Sequence, residues 1–446
     1  MAAAQGLRAA RFLRDAGCLL DRCRGMVWQD PPVESLTDGN GAGSAIFYCI
    51  FFIISPPKLI FMASESTSTL NNSTSASHLP FLDAIRGIAV LWVFTFHAMG
   101  SAYGWNHFAW KGWIRDFNDP GIPLFLFPLN FGPMGVAIFF VVSGFCIHLS
   151  HRRTRTTGWL YFFHRRFFRI YPAYLLALLL FLFLWPWNHF TLQTIVRQFF
   201  MHVFAIHNLE LNSKYAVNPS FWSIATEIQL YIIYPVLLLL TGTLGWKRTL
   251  IGLLSIEILL HSLNGESSTS WVLFDLVNSP LGYWFSWAIG AYLAELFLDG
   301  KINIFARINL PLLLALCIGT LLLKPLFNFA FTAFAFLTAV VIDRLMSKTW
   351  TFALPSKGIS NCLWRHLSFL GMVSYSFYLL HQPILNNVPK FILTHVGYEP
   401  SEAMLMRTGL CLYPLILLLS WFFYKMIEMP SIVVGNKIWK KYYSKN

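Results

Sequence analysis

The chain has 446 residues, of which 56% are hydrophobic and only 12% are charged, and its formal net charge is +13. Soluble domains carry roughly 25% charged residues, so this composition excludes an ordinary soluble enzyme and predicts an all-α polytopic membrane protein. In a soluble protein the positive charge would suggest nucleic acid, but in a membrane protein it reflects lysines and arginines on cytoplasmic loops. We therefore expect membrane lipid around the chain and no nucleic-acid partner.

Residues 1–80 differ from the rest of the chain. They contain an Arg-rich start, an apolar run too short to span ~30 Å of hydrocarbon, and a Ser/Thr-rich low-complexity segment. The low-complexity composition is typical of a disordered tail. Two interpretations are open, a genuine N-terminal extension or a gene prediction whose true start is Met62, and we favour the second.

From Leu82 onward the sequence predicts ten apolar segments of membrane-spanning length. They cover residues 82–101, 132–150, 170–187, 222–242, 249–264, 279–298, 305–323, 325–343, 367–386 and 406–427. With the N-terminus inside, 19 Lys and Arg residues fall in the inner loops and tail, and 7 fall in the outer loops. The positive-inside rule then predicts that both termini are cytoplasmic, in a multi-pass protein of the inner or plasma membrane.

The first predicted span, FLDAIRGIAVLWVFTFHAMG, carries three ionisable residues. On a helix Arg86 and His97 share one face and lie about 16 Å apart along the axis, and Asp83 is within reach of Arg86 for an ion pair. An ionisable side chain at membrane depth is costly unless it faces protein or water. Either Arg86 reaches the interface and His97 makes a structural hydrogen bond, or both residues serve a function.

Two further segments place ionisable groups near the outer ends of predicted spans. FWSIATEIQLYIIYP carries Trp222, Ser223 and Glu227, and SYSFYLLHQPIL carries His381. On the predicted topology Glu227 and His381 share the outer half of the membrane with His97, and buried acid–histidine groups at one depth indicate proton transfer. The structural alternatives are that Glu227 pairs with an arginine or tyrosine, and that His381 donates to free carbonyls at a helix end.

The inner half of the membrane is predicted to hold a basic cluster. HRRFFRIYPAY places Arg165, Arg166 and Arg169 at the entry to the third span. Arginine suits phosphate because its planar fork donates paired hydrogen bonds, and an ordinary positive-inside anchor is the alternative. Within the second span, the pair Ser143–Gly144 predicts close helix packing or a local break that exposes backbone groups.

These segments together resemble the acyltransferase 3 family of integral-membrane O-acyltransferases. The resemblance rests on six motifs in order, FLDAIRGIAVLWVFTFHA, FFVVSGF, RRFFRIYPAYL, FWSIATEIQLYIIYP, VSYSFYLLHQPIL and IEMP. The family's arginine and histidine with ten residues between them match Arg86 and His97, and its arginine pair with three intervening residues matches Arg165 and Arg169. The resemblance covers a domain at residues 81–430, and a basic cytoplasmic tail follows at 431–446.

The resemblance implies transfer of an acyl group, commonly acetyl, from acyl-CoA to a hydroxyl of a cell-surface or exported carbohydrate or glycolipid. It implies no bound cofactor and no metal. His97 would act as general base or carry the acyl group transiently, Glu227 would orient or charge-stabilise the reacting groups, and Arg86 would help to hold the donor. The acyl-CoA phosphates would be bound by Arg165, Arg166 and Arg169. Supporting or acceptor-side positions are Asp83, Ser143, Trp222, Ser223 and His381.

A proton-coupled transporter of a lipid or sugar derivative is the main alternative, because intramembrane Arg, His and Glu suit it equally well. Transporters often contain internal repeats, and neither the Arg–His spacing nor the Trp-Ser-x-x-x-Glu pattern recurs in the second half. A scaffold without chemistry and a different membrane acyltransferase fold fit the motifs less well. The acceptor, the acyl chain length and the oligomeric state are left open by the sequence.

Overall fold

The structure, a computed structural model, describes residues 79–105, 110–117, 123–154, 158–187, 190–263, 276–347 and 359–443. The predicted N-terminal extension lies outside these residues except for Leu79 and Pro80, and so does the alternative start at Met62. The described chain is almost entirely helical, and it contains one antiparallel pair of short strands, β1 (Trp110–Lys111) and β2 (Ile114–Arg115). The predicted all-α class is confirmed.

The helices follow one another along the chain with short connections. The first half includes α1 (Pro80–Tyr103), α2 (Met134–Arg153), α3 (Gly158–Leu179), α4 (Leu192–Val203), α5 (Leu211–Lys214), α6 (Phe221–Leu244) and α7 (Trp246–Leu263). The second half includes α8 (Trp284–Leu298), α9 (Leu310–Leu322), α10 (Ala330–Met346), α11 (Ile359–Met372), α12 (Ser374–His395), α13 (Glu402–Cys411), α14 (Tyr413–Phe423) and α15 (Met429–Tyr442). A π-helical turn, Tyr424–Glu428, joins α14 to α15.

Several helices are long and apolar enough to cross a membrane. Within the described residues six stretches meet this test, Pro80–Tyr103, Leu124–Arg153, Gly158–Leu184, Phe221–Leu244, Lys324–Met346 and Tyr413–Tyr442. A multi-pass membrane protein is therefore confirmed. The predicted segments that do not meet the test are also helical, in α7, α8, α9 and α12. The total of ten spans and the cytoplasmic placement of both termini stay predictions.

Three predicted spans have different boundaries in the structure. Helix α3 begins at Gly158, so the arginine cluster lies inside the helix and not at its entry. A span predicted from hydropathy leaves out charged residues. Arginine is nevertheless a good helix former, so the helix continues through the cluster. The predicted segment 367–386 is divided between α11 and α12 at Val373. The segment 406–427 is divided at Leu412, and Pro414 lies in the first turn of α14, which follows.

Helix α1 packs against α2, α11, α12 and α13, and its contact with α11 is between backbones. A Cβ added at Gly87 would lie 2.0 Å from the Leu367 carbonyl oxygen, and one added at Gly371 would lie 1.8 Å from the Asp83 carbonyl oxygen. No side chain fits at either glycine. The turn that carries Asp83 and Arg86 is therefore fixed against α11.

A second backbone contact joins α2 to α8. A Cβ at Gly144 would lie 2.0 Å from the Trp287 carbonyl oxygen, and a Cβ at Gly290 would lie 1.9 Å from the Val141 carbonyl oxygen. Helix α2 is continuous through this region. The close-packing interpretation of the Ser143–Gly144 pair is therefore confirmed, and the local break does not form.

The C-terminal helix α15 packs against α3. The described part of the predicted tail and the arginine-rich first half of α3 therefore lie at the same end of the helices. The predicted topology requires this arrangement, because it places the loop before the third span and the C-terminus on one side of the membrane.

Candidate active site

A cavity of about 370 Å³ lies between α1, α2, α3, α6, α11, α12 and the π-helical turn after α14. Its ionisable wall residues from the sequence prediction are Asp83, Arg86, Arg166, Arg169 and Glu227. Ser143 and Ser223 also line it, together with Tyr231, Tyr375, Tyr378 and Tyr424. Residues that are far apart in the sequence are thus brought together from several helices. We call this space the large cavity.

Arg86 is held on the α1 side of the large cavity. Its Nη1 lies 3.6 Å from Asp83 Oδ1 one turn earlier, as predicted, and its Nη2 donates to Cys146 Sγ at 3.5 Å. Glu227 interacts with Arg86 electrostatically, but the described structure contains no ion pair between them. The Arg86 side chain is 24% exposed, so its charge is partly shielded from water.

The Glu227 carboxylate is held by hydroxyl groups. Its Oε1 accepts hydrogen bonds from Ser143 Oγ at 2.6 Å and from the Tyr231 hydroxyl one turn later. Ser143 Oγ in turn accepts from the indole nitrogen of Trp287 at 3.3 Å. Groups on α2, α6 and α8 therefore fix the position of this negative charge in the cavity wall.

Hydrogen bonds attach the start of α6 to α12. The hydroxyl oxygens of Ser223 and Tyr378 are 2.8 Å apart, and Asn218 Nδ2 donates to the Leu379 carbonyl at 2.8 Å. Because Ser223 Oγ also donates to the carbonyl of Ser220, just before α6, it accepts the hydrogen of the Tyr378 hydroxyl. Tyr378 lines the large cavity and lies one turn before His381 on α12.

His97 and His381 form a pair that does not line the large cavity. His97 Nδ1 lies 2.7 Å from His381 Nε2, and the two rings are nearly parallel with centroids 5.0 Å apart. His381 is fully buried and His97 is half-buried. The ring of Trp105 stands edge-on to His97 at 5.7 Å and is 50% exposed. Gly100 provides the space for this indole, since a Cβ there would lie 2.2 Å from it.

The predicted grouping of His97, Glu227 and His381 is only partly present. The two histidines touch, but no hydrogen bond or ion pair joins either of them to Glu227 in the described structure. Tyr378 lies between the histidine pair and Glu227: its ring centroid lies 5.5 Å from that of His381, and its hydroxyl contacts Ser223, one turn before Glu227 on α6. Tyr378 was not predicted from the sequence, although its position three residues before His381 places it on the same side of α12.

Trp222 does not line the large cavity. Its ring centroid lies 5.6 Å from that of Tyr283, and the Lys214 ammonium lies 4.9 Å from the ring. Trp222 therefore packs beside the start of α6, one residue before Ser223.

A family model described as an acyltransferase domain matches residues 79–425, which is most of the chain. The chain belongs to the acyltransferase 3 family. Comparison with curated proteins and with solved structures gives no match. Membership of the acyltransferase 3 family, together with the apolar helices, indicates a multi-pass membrane acyltransferase.

Helix α15 lies beyond the residues that match the acyltransferase 3 model, yet it forms part of a second pocket of about 70 Å³. Arg165, Arg166 and Arg169 on α3 form one side of this small pocket, and Gly435 and Asn436 on α15 form the other. Arg166 and Arg169 line both the small pocket and the large cavity. A single ligand that extends from one space to the other would therefore pass these two arginines.

No ion pair joins the three arginines of the small pocket to an acidic side chain in the described structure, although Glu428 interacts electrostatically with Arg169. Arg165 lies over the Tyr161 ring at 5.4 Å and reaches Ser150 Oγ at 3.5 Å. Arg166 Nε is buried and has no hydrogen-bond partner among the described residues. A buried cationic group without a partner is costly, so an anion bound beside Arg166 would be favoured.

Proposed function

We propose that this membrane acyltransferase moves an acyl group, most simply acetyl, from acyl-CoA to a hydroxyl of a cell-surface or exported carbohydrate or glycolipid. The observation that carries the proposal is the large cavity, where Arg86, Arg166 and Arg169 bring positive charge from two helices to one space. His97 lies near the opposite end of α1 from Arg86. This separation supports a donor that binds at one end of the site and an acceptor that approaches from the other.

Acyl-CoA suits the arginine end in charge. Its phosphates are multiply charged, and guanidinium groups bind phosphate through paired, charge-assisted hydrogen bonds. The volume of the large cavity, about 370 Å³, lies in the lower part of the usual range for ligand pockets, and the cavity shares Arg166 and Arg169 with the small pocket. The nucleotide end of the donor would lie at Arg166 and Arg169, and the acyl thioester would reach toward Tyr378.

His97 is the proposed general base. It is half-buried and lies beside the exposed indole of Trp105, and aromatic rings with few polar groups are the usual lining of a ligand site. The His97 ring accepts the proton of the acceptor hydroxyl while the hydroxyl oxygen attacks the thioester carbonyl carbon. The carbon–sulfur bond then breaks, and the CoA sulfur leaves and takes the proton. The products are the O-acyl ester and free CoA.

Glu227 is proposed to act through its charge. Ser143 and Tyr231 hold its carboxylate at a fixed place in the wall of the large cavity, and this carboxylate attracts the Arg86 guanidinium. Together with the ion pair to Asp83, this attraction would keep the Arg86 guanidinium in position to bind the donor. Preorganised charges of this kind cost no reorganisation during the reaction.

Purified protein in proteoliposomes tests the proposal. Acetyl-CoA is supplied on the outside or the inside with a panel of glycans and glycolipids, and release of free CoA thiol and the mass of the acetylated product are measured. The Arg86→Ala variant should lose acyl transfer. Arg248→Ala is the matched control, because Arg248 is an exposed arginine of α7 and its replacement should leave the rate unchanged.

Two outcomes would contradict the proposal. One is the absence of acetyl-CoA binding to the folded wild-type protein. The other is uptake of a labelled sugar or lipid with no acetylated product, which would favour the transporter. Mass spectrometry of surface glycans from a deletion strain would identify the acceptor, because one glycan should lose its acyl group.

A further inference from the structure

The hydrogen on the His381 ring can be placed from the neighbouring carbonyls. His381 Nδ1 lies 3.1 Å from the Phe377 carbonyl oxygen and 3.0 Å from the Tyr378 carbonyl oxygen. A carbonyl oxygen only accepts, so Nδ1 must carry a hydrogen. In the neutral ring, His381 Nε2 then carries the lone pair.

His97 must supply the hydrogen between the two rings. The distance of 2.7 Å between His97 Nδ1 and His381 Nε2 accommodates one hydrogen. Because His381 Nε2 is the acceptor, this hydrogen belongs to His97 Nδ1. His97 Nε2 then carries a lone pair, and the described structure gives this nitrogen no hydrogen bond and does not bury it.

The surroundings disfavour a positive charge on either ring at rest. The aromatic rings around the pair are those of Phe96, Trp105, Phe377 and Tyr378. Among the described residues no carboxylate is hydrogen-bonded or ion-paired to His97 or His381. Burial of an unpaired charge is costly, so both rings are neutral before the substrate arrives.

We propose that His381 is a positioning residue that holds His97 in the tautomer with its hydrogen on Nδ1, so that the Nε2 lone pair faces the acceptor hydroxyl. The catalytic consequence rests on the proposed function, whereas the tautomer is a property of the resting protein. A neutral histidine here takes the place of the carboxylate that orients the histidine of Ser-His-Asp enzymes. His381 touches no reacting atom and acts through His97.

Every proton of the proposed step is accounted for. The acceptor hydroxyl gives its proton to His97 Nε2 and its oxygen forms the new bond to the acyl carbon. The imidazolium of His97 keeps its Nδ1 hydrogen, and its bond to His381 Nε2 becomes charge-assisted and stronger. When the carbon–sulfur bond breaks, the CoA sulfur takes the proton from His97 Nε2. Both rings return to their resting tautomers.

The tautomer can be observed without any activity. In resting wild-type protein labelled with ¹⁵N-histidine, NMR distinguishes protonated from unprotonated ring nitrogens, and difference spectra with His97→Gln and His381→Leu assign the signals. We expect the hydrogen on Nδ1 of both rings. A His97 ring protonated on Nε2 would overturn the proposal even if the protein proved to be an active acyltransferase.

Kinetics of two His381 variants supply the second readout. His381→Leu removes the acceptor, so kcat should fall by roughly 10-fold or more while acetyl-CoA affinity stays unchanged. His381→Gln keeps an oxygen that accepts from His97 Nδ1, and it should recover most of that loss. His395→Leu, the same change at an exposed histidine of α12, should leave kcat within about twofold. Equal losses in the Leu and Gln variants would reduce His381 to a packing role.

Discussion

The Tyr378 hydroxyl lies 2.8 Å from Ser223 Oγ and joins the helix that carries His381 to the helix that carries Glu227. Tyr378→Phe removes this hydrogen bond and keeps the ring. We expect a loss of about 1 kcal/mol in the free energy of unfolding and a slower acyl transfer, measured by denaturation in detergent and by CoA release. Tyr398→Phe, at an exposed position after α12, is the control. If the two variants behave alike, the contact is dispensable.

His97→Ala and His97→Gln test the base. Both should lower acyl transfer by about 10²–10⁴-fold and leave acetyl-CoA binding intact, because neither side chain can take up a proton at neutral pH. Glutamine can keep a hydrogen bond to His381, so a purely structural histidine would be largely rescued by it. The measurement is turnover of purified, folded protein. Activity of His97→Gln near that of the wild type would remove His97 from the mechanism.

We expect the arginines of the small pocket to bind the phosphorylated end of the donor. Arg165→Ala should weaken acetyl-CoA binding by about 10-fold or more, since a hydrogen bond to a charged group contributes roughly 1.5–3 kcal/mol. Arg165→Lys should restore only part of the affinity, because lysine makes no bidentate contact. Titration with acetyl-CoA, acetyl-dephospho-CoA and acetyl-pantetheine identifies the phosphate involved. Arg248→Ala serves as the control, and unchanged affinity in Arg165→Ala would return the cluster to an anchoring role.

Replacing glycine by alanine should lower the protein's stability at Gly371, in the contact between α1 and α11, and raise it at Gly252, outside that contact. Gly371→Ala would place a methyl group 1.8 Å from the Asp83 carbonyl oxygen, and overpacking of this kind typically costs about 1–3 kcal/mol. Gly252→Ala in α7 meets no atom within 4 Å, and alanine in a helix is favoured over glycine by roughly 0.8–1.0 kcal/mol. Thermal unfolding in detergent should therefore show a lower midpoint for the first variant and a higher one for the second. A raised midpoint for Gly371→Ala would show that the helices separate without cost.

A buried histidine pair outside the spanning helices predicts that acid destabilises the protein. His202 and His207 stack with ring centroids 3.9 Å apart and are fully buried. Burial lowers the pKa of His202 to about 4, and burial and the neighbouring His202 lower the pKa of His207 well below its usual range. Below a pH of about 6.5 the unfolded chain binds protons that the folded protein does not. Stability should fall as the pH drops from about 6.5 toward 4.

The measurement is the unfolding midpoint across that pH range. His202→Phe keeps an aromatic ring and removes one of the two groups, so its midpoint should depend less on pH. His395→Phe replaces an exposed histidine and should leave the dependence as it is in the wild type. A wild-type midpoint that does not change over this range would contradict the conclusion that burial keeps His202 and His207 neutral in the folded protein.

The sequence predicted those features of the site that depend on a single helix. The contact between Asp83 and Arg86 follows from their spacing of three residues, and the placement of Arg165 and Arg169 in one pocket follows from a spacing of four. Helical periodicity is a local property, so these relations need no knowledge of the neighbouring helices.

Contacts between helices could not be predicted in this way. Ser143 and Glu227 are 84 positions apart in the chain, and His97 and His381 are 284 apart. Their meeting depends on which helix faces are in contact, and this in turn depends on backbone approaches such as that at Gly144. Equal membrane depth was therefore insufficient to predict that Glu227 would contact Ser143 and not a histidine.

The match to the acyltransferase 3 family ends at residue 425, ahead of the helix that closes the small pocket. That helix is attached by specific bonds, since Ser431 Oγ donates to the Phe168 carbonyl at 2.6 Å and His164 Nε2 donates to the Gly435 carbonyl at 2.8 Å. The residues that would enclose the proposed donor thus extend beyond the residues that match the family model. We therefore expect substitutions on the pocket-facing side of this one helix to alter affinity for the proposed donor and to leave the residues of the proposed catalytic step in place.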